Sequence, residues 1–385
     1  MSENLPLSGL TVIDLSQFLS GPYASLRLMD LGARVIKIER PETGDIARTL
    51  YMSDTDIGGD STLFHAINRN KESLALDLKS PEDLTVLRKL LSKADVLIQN
   101  FRPGVIERLG LDYHSVKAIN PKLIYASISG YGKEGPWSGT PGQDLLAQSR
   151  SGIMWLTGDD TQGPVPMGLA VADILAGSAI VQGVLAGLVQ RGVKGVGCHV
   201  ETSLMEALID LQFEVLTTHL NDGGRPPKRA KSRNAHAYLA APYGVYPTKN
   251  GYLAIAMTPI GDLADLLGIP ALTVYRDNPK SWFTARDEIK EILSHKLKEQ
   301  DTEHWLSILE PMDIWCSKVL QWDELINHEG FSSLDMLQVA EQEGGVSIRT
   351  TRSPIRINGE RPITNLRAAP RVGEHSDLIR MELGI

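Results

Sequence analysis

Asp173 is set apart by its neighbours. It closes a short apolar run, PVPMGLAVAD, and is followed by a helix built mostly of Ala, Gly, Leu, Ile and Val. A carboxylate at a helix start lies near the partial positive charge of the N-terminus, which favours its ionised form. Asp is also a preferred capping residue, and on this stretch alone an N-cap is the simpler reading. A second group of residues is cationic. Arg40, Lys71, Lys79, Arg102 and Arg108 fall near the ends of the strands assigned below. Ligands of open α/β sheets bind outside the carboxyl ends of the strands, so several cations there could hold a phosphorylated ligand. Taken singly, each reads as an ordinary surface charge.

Other chemistry-like patterns do not hold up. Residues 130–135 read GYGKEG, a GxGxxG match, but Pro136, Gly139, Pro141 and Gly142 continue it as loop. A dinucleotide fingerprint must open a helix at once. Glu39 lies where a ribose-binding acid would, yet the preceding turn, SQFLSGP, lacks the glycines. No nucleophile elbow, zincin histidine pair or Walker lysine motif occurs. Cys198 and Cys316 are far apart, with no CxxC, which fits a reducing compartment without disulfides or a zinc site. The formal charge of −8 and the absence of a long basic run disfavour nucleic-acid binding. The N-terminus, MSENLPLSG, carries no signal-peptide pattern, and a cytoplasmic protein is expected.

The helix read over residues 174–189 is shorter than the ~20 residues a membrane span needs. Being apolar nearly all round, it reads as buried in a large core, and Gly183 and Gly187 as sites of close packing. The surrounding elements alternate. Strands are predicted at 10–15, 33–39, 73–78, 94–99 and 123–128, with helices at 20–31, 81–93 and 105–109. This is a doubly wound α/β sheet. Residues 197–200 lead into a further helix at 203–217. Beyond a Gly-, Pro- and Lys/Arg-rich linker at 221–232 come a hairpin around Asn250-Gly251 and helices at 285–298 and 302–309. The expected domains are a large one over 1–220, a linker and small α+β domain over 221–330, and a tail over 331–385 returning to the first.

Together these segments resemble the class III CoA-transferase family, the formyl-CoA:oxalate and carnitine CoA-transferase type. The matching text is DLSQFLSGPYAS, LGARVIKIERPETGD, NRNKESLALDLK, ADVLIQNFRPGVIERLGLDY, NPKLIYASISGYGKEGP, Asp173 and VGEHSDLIRMELGI. The resemblance implies a Rossmann-like large domain, a small domain and a homodimer of interlocked rings. It makes Asp173 the nucleophile, attacking an acyl-CoA thioester to form an acyl-aspartyl anhydride and then an aspartyl-CoA thioester. A small carboxylic acid is the implied acceptor. It places CoA contacts at Leu19, Ser20, Arg40, Leu76, Lys79, Asn100, Phe101, Arg108 and Tyr131. CoA enters as substrate; no tightly bound cofactor and no metal is implied.

Two residues depart from the formyl-CoA enzyme: Leu19 stands in place of a glutamine and Ser129 in place of a lysine. Its glycine-rich lid is also missing; Arg233-Asn234-Ala235-His236 occupies roughly that region. His236, Tyr238 and Tyr243 are candidate pocket residues from the small domain. The same family fold carries 2-methylacyl-CoA racemases, whose motif has a histidine where this chain has Gln143. An amide cannot shuttle a proton as imidazole does, which favours transfer over racemisation. The other alternative is a non-catalytic CoA-binding protein with Asp173 as a cap.

Overall fold

The computed structural model describes residues 5–342, 346–361 and 366–385. Contacts divide the chain into two units. The first holds residues up to 147, 170–211 and 334–385; the second holds 148–169 and 212–333.

The first unit is built on six strands: β1 (Thr11–Asp14), β2 (Arg34–Glu39), β3 (Glu72–Ala75), β4 (Val96–Gln99), β5 (Ile124–Ser129) and β6 (His199–Ser203). Their order is β3-β2-β1-β4-β5-β6, and every neighbouring pair is parallel. The inner strands are short apolar runs covered on both faces, as parallel sheets require. β6 was not foreseen as a strand. Its sequence, HVETS, is half-polar and pairs on one side with β5, so no continuous apolar run marks it.

Helices α1 (Ser20–Asp30), α2 (Thr62–Asn68), α3 (Pro81–Leu91), α4 (Val105–Arg108) and α5 (Tyr113–Ile119) connect the strands. Gly32, at φ 108°, ends the α1 region in a conformation that side-chain-bearing residues rarely adopt. One core cluster joins Ile13, Ile36, Leu74, Leu97 and Leu87 of α3. It also takes in Ile379 and Leu383 of the C-terminal helix Ser376–Leu383.

After α6 (Asp144–Ser151) comes the long helix α7 (Val171–Lys194), followed by α8 (Leu204–Leu211). α7 is longer than the predicted 174–189. Its N-cap is Ala170, so Asp173 is a first-turn residue and not the cap. The helix is buried along one face, through Ala172, Ala176, Gly177, Ile180, Val184 and Gly187. Val189 and Val193 are 72% and 82% exposed, so the expectation of burial all round fails for this chain by itself. A Cβ on Gly183 would meet Val200, and one on Gly187 would meet Cys198 and Ile124. The GxxxG pair therefore seats α7 on the sheet.

The second unit has the expected hairpin. Gly244–Pro247 and Tyr252–Ile255 pair antiparallel, and Cys316–Lys318 adds a third strand. Its core unites Tyr246 and Leu253 with Ile289 and Leu293 of helix Arg286–Leu297 and Trp305 of helix Thr302–Leu309.

Candidate active site

Because β1 and β4 are neighbours, the chain reverses direction across the sheet between them, which makes their carboxyl ends the topological switch point where open α/β sheets bind ligands. The loop leaving β1, residues 15–19, is held by Asn100, which follows β4. Asn100 Nδ2 donates to the Gln17 carbonyl at 2.7 Å, and its Oδ1 accepts the Gln17 N–H at 2.8 Å. The same Nδ2 lies 3.5 Å from Ser20 Oγ. Ser20, the first residue of α1, lies close enough for its hydroxyl to favour the ionised form of the Asp173 carboxylate.

Gly177 explains how two helix starts come this close. It lies one turn after Asp173, and a Cβ there would sit 2.6 Å from the Ser20 carbonyl and 2.8 Å from the Tyr23 ring. Gly21, the second residue of α1, plays the matching part toward the loop, since its Cβ would collide with the Ser16 side chain. Asp144 completes the arrangement. Its Oδ1 accepts the Ala172 N–H at 2.7 Å and the Asp173 N–H at 3.3 Å, capping α7 from another element.

Burial raises the Asp173 pKa, the Asp144 charge raises it further, and the Ser20 hydroxyl partly opposes both. The net result is a pKa of about 6. The group is thus ionised at neutral pH yet poorly solvated, a combination that suits a nucleophilic carboxylate. A pH dependence follows. Any step needing ionised Asp173 slows as pH falls through about 6. In Asp144→Asn the like charge is gone and the acid limb moves to lower pH. Single-turnover rates across the acid range check this, and an unmoved limb would contradict the assignment.

The other predicted contact residues share one edge of the sheet. Leu19 precedes α1 as its N-cap, Arg40 follows β2, and Leu76 and Lys79 follow β3. Phe101 adjoins Asn100 after β4, Arg108 ends α4, and Tyr131 follows β5. Arg40, Lys79 and Arg108 are exposed, Leu76 is buried, and Phe101 and Tyr131 are partly buried. Five parallel strands thus present these positions at their carboxyl ends. The loop bearing Tyr131 is pinched where Gly130 and Gly142 meet backbone to backbone, with no room for a Cβ on either. That close approach accounts for glycines at the ends of the loop. Ser129 Oγ accepts the Gly132 N–H at 2.9 Å and shapes its first turn.

Lys71 does not belong to the exposed set. Its ammonium is wholly buried, 2.9 Å from Asp14 Oδ2. Arg102 remains a surface charge. In the second unit, His236 Nε2 lies 3.1 Å from Glu214, and its ring meets Tyr243 edge to face. The neighbouring segment is fastened by Asn234, which donates to the Leu156 carbonyl, and by Lys290, which donates to the Arg233 carbonyl. Sequence reasoning missed Asp144 and Gly177 as parts of the site. Both sit a helical turn or a loop away from Asp173, and their signal was a lone Asp and one glycine among many.

A doubly wound α/β protein with an acid at the start of a core helix is the class that fold and site define. The sequence model of CoA-transferase family III matches residues 7–376, and the chain is an enzyme belonging to that family. The succinate–glutarate CoA-transferase of Agrobacterium fabrum is 35% identical, over 98% of this chain and 96% of its own length. The acetyl-CoA:oxalate CoA-transferase of Acetobacter aceti is 33% identical, over 98% and 95%. The crystal structure of a CAIB/BAIF family protein from Brucella suis superposes with a TM-score of 0.81 at 32% identity, covering 99% of this chain and 100% of that one. A crystal structure from Mycobacterium tuberculosis gives 0.83 at 27% identity, covering 97% and 99%.

Proposed function

We propose that this enzyme moves CoA from an acyl-CoA to a small carboxylic acid, with Asp173 as the covalent carrier. The observation that carries the reading is the Asp173 carboxylate itself: ionised at neutral pH, poorly solvated, and one helical turn from where α7 packs against the start of α1. Asp173 attacks the thioester carbonyl, the carbon–sulfur bond breaks, and CoA leaves as thiolate. The thiolate attacks the aspartyl carbonyl of the resulting anhydride, freeing the donor acid and leaving an aspartyl-CoA thioester. The acceptor carboxylate displaces CoA to form a second anhydride. CoA then attacks the acceptor carbonyl and restores Asp173. Each step exchanges one activated acyl group for another, so the site has to exclude water.

Exposed Arg40, Lys79 and Arg108 at the strand ends suit the phosphates of CoA. The relatives named for succinate, glutarate and oxalate support a dicarboxylic acid as acceptor. A cytoplasmic homodimer completes the proposal, supported by the exposed apolar residues Val189 and Val193 on α7.

Isotope tracing tests the chemistry. With an acceptor labelled with oxygen-18 in its carboxylate, the bridging oxygen of the second anhydride stays on Asp173. In the next cycle it departs in the released donor acid. Label in that acid is the expected result. Unlabelled donor acid would refute the anhydride route. Solvent deuterium at the α-carbon of a 2-methylacyl-CoA would instead establish racemisation.

A further inference from the structure

Beneath the β1–α1 loop lies a charged cluster that the chemistry above does not use. Lys71 Nζ makes four short contacts: Asp14 Oδ2 at 2.9 Å, the Pro22 carbonyl at 2.9 Å, Ser25 Oγ at 2.8 Å and Asn68 Oδ1 at 2.8 Å. Two of these partners, Pro22 and Ser25, belong to the opening turns of α1. The third comes from the end of β1 and the fourth from the end of α2. Asp14 in turn accepts both the N–H and the hydroxyl of Ser16 and the hydroxyl of Ser25. A second buried ammonium, Lys37 of β2, donates to the Ser16 carbonyl at 3.0 Å and pairs with Asp45 at 2.6 Å.

The loop after β1 is therefore fixed by Lys37 through Ser16 and by Asn100 through Gln17, and the start of α1 by Lys71. Burying whole ammonium groups is unfavourable unless every donor is matched. Two of the four Lys71 acceptors, the Pro22 carbonyl and the Ser25 hydroxyl, belong to the start of α1, and an apolar side chain would fill the same space without orienting that helix.

We propose that Lys71 is a positioning residue for Asp173: its ammonium clamps the opening turns of α1, so that the Ser20 end of that helix stays seated against α7 one turn from Asp173. This rests on Asp173 being the nucleophile. The charged groups facing Lys71 are Asp14 from β1, Lys37 from β2 and Asp45 from the loop after it; Ser25 and Asn68 are the neutral partners from α1 and α2. Burial lowers the Lys71 pKa, Asp14 opposes this and Lys37 adds to it, and the result is about 8. The clamp is present below that pH and lost above it. Lys37 is affected differently, because burial is outweighed there by Asp14, Asp45 and Glu39 and its pKa rises.

The test measures the single-turnover rate of aspartyl-CoA formation against pH, with circular dichroism recorded over the same range. In the wild-type enzyme the rate falls as pH rises through about 8 while the fold persists. A rate that climbs steadily through the alkaline range would overturn the proposal, and this measurement needs no variant. Lys71→Met alone strands Asp14 in the core, so the companion is the double variant D14N/K71M, which removes both charges. Its adduct formation is expected to drop about 100-fold, with the acyl-CoA KM little changed and the alkaline limb abolished. A folded double variant reacting at the wild-type rate would also overturn it. If the wild-type enzyme forms no adduct with any acyl-CoA, the nucleophile reading fails first, and that outcome is distinct from both.

Discussion

Replacing Asp173 by Asn is expected to reduce CoA transfer by at least about 1000-fold if Asp173 is the proposed carrier, because an amide cannot form the anhydride. Asp144 is the nearest alternative, and its Oδ1 is committed to the amides of Ala172 and Asp173. A second consequence separates a nucleophile from a cap. Removing a cap costs about 1 kcal/mol of stability. The pKa of Asp173 is instead raised to about 6 by burial and by Asp144. A carboxylate whose pKa is raised by folding opposes folding when ionised. That cost is absent below the unfolded value, grows as pH rises, and is complete above about 6. Asp173→Asn is therefore expected to melt higher than wild type at mildly alkaline pH, with the gap closing toward acid. A variant that melts lower at every pH would return Asp173 to a purely structural role.

The next largest effect is expected at Gly177. A side chain there must displace the Ser20 carbonyl, which lies 2.6 Å from the position of an added Cβ. That atom is backbone at the start of α1 and cannot rotate away. Gly177→Val pushes the two helix starts apart, moves Ser20 away from Asp173 and overpacks the α1–α7 seam. Stability falls by about 1–3 kcal/mol, and adduct formation is expected to fall by about 100-fold as the Asp173 carboxylate loses its orientation. Gly192→Ala is the matched control, since no atom lies within 4 Å of a Cβ at that point of the same helix. It should leave the rate unchanged. Equal rates for Gly177→Val and wild type would show that the close approach has no bearing on chemistry.

The alternation of apolar runs with helical stripes made the sheet legible, because strands buried on both faces leave continuous Val, Ile and Leu segments. β6 escaped because an edge strand needs no such run, and Glu201 lies on it as a half-exposed side chain. The extent of α7 was underestimated. Its true start lies in VAD, where nothing in the local sequence provides a cap; the cap comes from Asp144, a loop away. The position of Asp173 could be read from the resemblance, but its electrostatics could not, since they depend on Asp144 and Ser20 arriving through the fold. Lys71 shows the reverse. A lysine near a strand end looks like a phosphate ligand in sequence, and only the packing of α1 and α2 over β1 reveals that its charge is directed inward.

The most direct measurement is the intact mass of the enzyme after exposure to a panel of acyl-CoAs, followed by hydroxylamine and peptide mapping. The expected result is a mass gain equal to a CoA thioester, convertible to a hydroxamate on the peptide that contains Asp173 and absent from Asp173→Asn. An adduct mapped to any other residue, or one that persists in Asp173→Asn, would contradict Asp173 as the carrier of CoA.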